Sequence, residues 1–137
     1  MTAITRTLIA TPDRVPTTAK LFGYAFPQLF EPFVYNVARE MAPAYNGGYW
    51  LFYQLGNGGF YMAPDIEGRF EVSCAMNFFD GELSADALGI VACLTAYSHL
   101  SFRDDKEFAW TCGDQFYLLR DYADSHPEAL AIFRAID

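Results

Sequence analysis

Residues 49–63 read YWLFYQLGNGGFYMA, two aromatic-rich runs either side of Gly56-Asn57-Gly58-Gly59. Tyr, Trp and Phe suit the pleated, half-buried surface of a strand. Asn57-Gly58 is the favoured pair for a two-residue type I′ turn. The stretch therefore predicts a β-hairpin in which Leu55 faces Phe60, Gln54 faces Tyr61 and Tyr53 faces Met62. That register gathers Leu55, Phe60, Tyr53 and Met62 on one face. Just beyond it, Phe70, Val72 and Cys74 alternate with Arg69, Glu71 and Ser73. This predicts a third strand of a meander, buried on one side and wet on the other.

Further along, Ser84 is a good N-cap, and Asp86 falls in the first turn, where the helix dipole favours an acid. The helix behind it, residues 85–101, carries no ionisable group other than Asp86, Cys93, Tyr97 and His99. A helix apolar on nearly all sides belongs in the core, covered on both flanks. After a charged loop at 104–106, Phe108, Cys112, Phe116, Leu119 and Tyr122 form an apolar stripe, with Asp114, Asp121 and Asp124 elsewhere on the helix. Pro127 and Glu128 open a short final helix. Toward the N-terminus, Pro32 suits the first turn of an amphipathic helix whose Phe33, Val34, Val37, Ala38 and Met41 share a face. Residues 11–30, with Pro12, Pro16 and Pro27, are expected to be mostly irregular, and residues 2–10 to form an edge strand. Strands clustered before helices indicate α+β: a small antiparallel meander packed with about four helices, one domain over residues 1–137.

Composition narrows the class. Of 137 residues, 53% are hydrophobic and 18% aromatic, which excludes a disordered chain. The opening residues hold Arg6 and Asp13 and no apolar run of signal-peptide length, so a cytoplasmic protein is expected. The longest apolar stretch, residues 87–100, is broken by Thr95, Ser98 and His99 and is shorter than the ~20 residues a membrane span needs. Cys74, Cys93 and Cys112 are odd in number and lack Cys-x-x-Cys spacing, which favours reduced thiols over a disulfide framework or zinc. Net charge is −8 and uneven. Residues 1–64 carry four basic and three acidic side chains; residues 65–137 carry five basic and fourteen acidic, a net of −9. An acidic half disfavours the DNA backbone and favours a basic protein partner.

No catalytic, cofactor or metal set emerges. A cysteine paired with His99 or His126 is the enzymatic alternative. Yet Cys93 lies midway along the apolar helix and Cys112 on an apolar stripe, where cysteine acts as a small hydrophobe. His99 near a helix C-terminus suits the dipole, and His126 before Pro127 reads as a capping or loop residue. Gly56-Asn57-Gly58-Gly59 lacks the Gly-Lys-Ser/Thr ending of a phosphate loop and is followed by a strand. The aromatic hairpin could stack bases, making a direct DNA binder the second alternative. It has no Lys or Arg between Arg39 and Arg69, however, so packing is the expected role of its rings.

Three stretches resemble the ArdB/KlcA antirestriction family: GGYWLFYQLGNGGFYMAPD at 47–65, GELSADALGIVACL at 81–94 and HPEALAIFRAID at 126–137. With the helix around residues 33–41, the resemblance covers most of the chain. It implies a compact mixed fold, a place on plasmids or other mobile elements, and relief of type I restriction of incoming DNA. It supplies no catalytic residues, since the family is not known as an enzyme family.

Charge weighs against full DNA mimicry as the mechanism. A compact chain of this length has a diameter of about 37 Å, and duplex DNA of that length carries about 22 charges. The acidic half nets −9. Contact with a protein partner, either the type I restriction-modification complex or a host factor linked to it, is the expected route. The candidate contact carboxylates are Asp65, Glu67, Asp80, Glu82 and Asp86, in or beside turns bounding the meander and opening the central helix, and Asp137. At a helix C-terminus a negative charge opposes the dipole, so folding gives no reason for Asp137.

Overall fold

The computed structural model describes residues 3–74 and 77–137. It is an α+β arrangement of two small antiparallel sheets and five α-helices. Strand β1 (Arg6–Leu8) is followed by a 3₁₀ turn (Thr11–Asp13), α1 (Arg14–Phe22), a π-helical turn (Phe26–Phe30) and α2 (Glu31–Met41). Then come β2 (Trp50–Leu55), β3 (Phe60–Pro64), β4 (Arg69–Cys74) and β5 (Phe79–Ser84). Helices α3 (Ala85–Leu100), α4 (Lys106–Ala123) and α5 (Ala129–Ile136) complete the chain. The expected N-terminal strand is present but short, and Thr2 lies outside the described residues.

The hairpin forms at the expected place with a different turn. Leu55 accepts from Gly58 N–H at 3.0 Å and donates its own N–H to Gly59 at 2.8 Å. Gly58 has φ +93° and Asn57 does not have positive φ. This is a three-residue loop, a type I turn closed by a left-handed glycine, in place of type I′. Tyr53 therefore faces Tyr61, Gln54 faces Phe60 and Phe52 faces Met62, one residue from the expected register. A one-residue slip exchanges faces. Phe60 and Met62 accordingly lie with Phe52, on the opposite face from Tyr53 and Leu55.

The meander is also divided. Sheet order is β1-β2-β3, and β4 pairs instead with β5, a strand absent from the expected meander. The physical reason lies at the free edge of β3, which helical side chains occupy. Gln115 Oε1 accepts from Phe60 N–H at 2.9 Å, Tyr97 O–H donates to Phe60 C=O at 2.8 Å, and Cys93 Sγ sits 3.5 Å from both Met62 N and Met62 O.

Residues 11–30 are largely helical, contrary to expectation. Pro16 falls in the first turn of α1, where a missing N–H costs no helical bond, and Pro27 is the second residue of the π-helical turn. This segment delivers Phe22, Phe26 and Phe30 to the core. Phe30 stacks on Tyr97 at 4.7 Å, and Phe26 meets Phe52 edge-on at 5.6 Å. At the centre, α3 packs against β3, α2, α4 and α5, with Leu88, Ile90, Val91 and Leu94 fully buried. Gly89 permits this approach: a Cβ there would come within 2.4 Å of Ala63. No helix among the described residues is long and apolar enough to cross a membrane.

Candidate functional site

Ser84 caps α3 by accepting from Ala87 N–H at 3.2 Å, so Asp86 stands in the first turn with its carboxylate held at the surface of the core. Both oxygens are engaged. Oδ1 accepts from Arg6 Nη1 at 2.9 Å and from the Tyr61 hydroxyl at 2.8 Å; Oδ2 meets His126 Nε2 at 2.9 Å. Arg6 also donates to Tyr61 Oη at 2.9 Å and lies 4.3 Å above the Tyr53 ring. Tyr53 stacks on Tyr61, and Tyr61 on Tyr122. Beside this group, Glu128 accepts from Ser84 N–H at 3.0 Å and from the Ser84 hydroxyl, and forms an ion pair with Arg69 at 3.4 Å. The cluster thus fastens β1, β3, the start of α3 and the α4–α5 connection to one carboxylate.

Burial pushes the Asp86 carboxyl up, but the hydrogen bonds from His126 and Tyr61 and the charge of Arg6 outweigh it. Its pKa lies below the ordinary carboxylate value. Burial, followed by the Asp86 charge, pushes the Tyr61 phenol up, which keeps its proton available for donation. His126 accepts from Glu128 N–H through Nδ1 at 2.9 Å. Its proton is therefore on Nε2 and points to Asp86. With both ring nitrogens committed and only 8% of the side chain exposed, His126 has no lone pair free to take a proton from a nucleophile. The arrangement orients and fastens groups. The three cysteines are free and buried, with Cys93 and Cys112 each pushed by burial up to about 12. A protonated, buried thiol is a poor nucleophile. Among the described residues, no group of three or more His, Cys, Asp or Glu could hold a metal ion.

The other candidate carboxylates lie elsewhere. Asp65 and Glu67 are exposed on the β3–β4 connection. Asp80 and Glu82 are exposed on β5, opposite Ser73 and Glu71, so the outer face of this ribbon sets two glutamates across from each other. Asp137 is exposed after α5. None of these five side chains takes part in a hydrogen bond or ion pair among the described residues. From sequence, Arg6 and Glu128 carry no site reading, Tyr61 enters only as a ring of the aromatic hairpin, and His126 only as the base of the cysteine alternative or as a capping residue. The usable signal was that Tyr61, Asp86 and His126 each fall in a different one of the three signature stretches, which converge here.

A family profile described as "Antirestriction protein" matches residues 43–137. The chain is 42% identical to the antirestriction protein KlcA of Escherichia coli over 139 residues, spanning 98% of this chain and 95% of the relative. It is 39% identical to YafX of Escherichia coli K12, an uncharacterised protein, over 98% of this chain and 88% of that one. A solved structure matches with a TM-score of 0.91 at 44% identity, over 99% of this chain and 96% of that chain. It belongs to work on KlcA and ArdB describing a novel fold and antirestriction activity against type I DNA restriction systems in vivo but not in vitro.

Proposed function

Because the chain belongs to the antirestriction protein family, we propose that it relieves type I restriction of incoming DNA as a non-enzymatic cytoplasmic protein of a plasmid or other mobile element. The observation that carries this reading is the near-complete superposition on a solved relative with antirestriction activity. Residues 1–137 act in it as one domain. That relative's activity in vivo but not in vitro supports a route requiring a cellular component. We read the partner as the restriction-modification complex in its cellular state or a host factor linked to it. The exposed carboxylates of Asp65, Glu67, Asp80, Glu82 and Asp137, unpaired among the described residues, are available to a basic partner, where such charges mainly speed association. Asp86, as the sixth, would act by holding the surrounding elements in place. Buried thiols and a fully committed His126 weigh against a cysteine hydrolase. A net of −9 over residues 65–137 weighs against direct binding to DNA and is too small for full mimicry of a duplex.

Plating of unmodified phage on hosts with type I systems tests the proposal. Expression should raise plating efficiency by tenfold or more and leave DNA modification unchanged. Equal plating with and without the protein, across several type I hosts, would overturn it.

A further inference from the structure

Helix α4 buries Phe108, Cys112, Gln115 and Leu119 against the core. Its opposite side carries Trp110, Asp114, Tyr117 and Asp121. Spacings of four, three and four residues align these on a stripe about 17 Å long, within an arc of about 60°. Trp110 and Tyr117 are 69% and 64% exposed, and both aspartates are exposed. No hydrogen bond or ion pair among the described residues engages any of the four side chains. Of the neighbouring arginines, Arg103 pairs with Asp105 at 2.9 Å, and Arg120 lies over Phe133 at 5.6 Å and forms no ion pair with either aspartate. Lys106 begins the stripe and Asp124 follows it. Gly113, between the two rings, leaves open space where a Cβ would be.

Single exposed aromatics are ordinary. Two of them interleaved with uncompensated carboxylates along one helix face form a pattern with a matching chemistry. A guanidinium stacks flat on Trp or Tyr while its N–H fork pairs with a carboxylate, which an ammonium cannot do. We propose that the outward face of α4, Trp110, Asp114, Tyr117 and Asp121, is a docking surface for an arginine-rich segment of a partner protein. This deepens the functional reading above by naming the partner's chemistry. A nucleic acid is refused by the same carboxylates.

The test uses the full chain and two probes, octa-arginine and octa-lysine peptides, by fluorescence anisotropy. Octa-arginine should bind at least fivefold more tightly than octa-lysine. Trp110→Ala with Tyr117→Ala, and separately Asp114→Asn with Asp121→Asn, should each weaken it tenfold or more. Asp13→Asn with Glu40→Gln removes two charges elsewhere and should change binding less than twofold. Equal binding of both peptides, or an equal loss in that control, would reduce the surface to general acidity and overturn the proposal. So would binding of duplex DNA or a second copy of the chain through this face. Phage plating separates the two readings. If the parent protects and the folded Trp110→Ala, Tyr117→Ala variant does not, the surface is supported. If both protect equally, the surface is overturned while the function stands. If the parent does not protect, the function falls and the peptide measurements alone decide the surface.

Discussion

One carboxylate, Asp86, receives Arg6, Tyr61 and His126 from positions 80, 25 and 40 residues away. Since its folded pKa is depressed, the folded state gives up this proton more readily than the unfolded chain. The resulting stability is complete above the ordinary Asp value of about 3.9 and is lost as pH falls through the folded value. Asp86→Asn should therefore be less stable than the parent at pH 7, and the difference should shrink below about pH 4. Denaturant melts at pH 7 and pH 3 check this; a gap independent of pH would refute it. The first-turn position of Asp86 was legible, because a Ser N-cap followed by an acid is a local pattern. Its partners were not, since nothing local in Arg6 or His126 reports a contact made across the chain.

Among the elements, α3 was the most legible: residues apolar around the whole circumference have one place to go. The hairpin was half legible. Gly56-Asn57-Gly58-Gly59 satisfies two turn geometries, and tertiary contacts decide between them. The Asn57 amide donates to Leu118 C=O, its Oδ1 accepts from Gly59 N–H, and a Cβ on Gly59 would press Leu55 and Leu118. Helix α1 was hidden because its proline sits at a tolerated first-turn position and reads as a breaker. The edge of β3 was illegible, since no strand pattern announces that a helix glutamine will take a strand's place. Gln115→Leu should strand the buried Phe60 N–H and cost about 1–3 kcal/mol. Thermal or denaturant unfolding measures it, and an unchanged midpoint would show that another group satisfies that amide.

At the scale of the molecule, two sheets that share no strand are joined through α3, and the Asp86 cluster fastens both ends of the chain to the start of that helix. Around this frame, Asp65, Glu67, Asp80, Glu82 and Asp137 are exposed carboxylates with no hydrogen bond or ion pair among the described residues. Asp65→Asn with Glu67→Gln should fall within about 0.5 kcal/mol of the parent in stability, as surface changes do, yet lower antirestriction in phage plating. Normal folding with full protection would remove this pair from the contact surface. Helical side chains seal the outer edge of β3. A sheet with an unpaired rim can be lengthened by any extended peptide, which is how many adaptors capture ligands and how fibrils recruit copies. Here Gln115, Tyr97 and Cys93 already fill that rim, so neither a client peptide nor a sister chain can be zipped onto it.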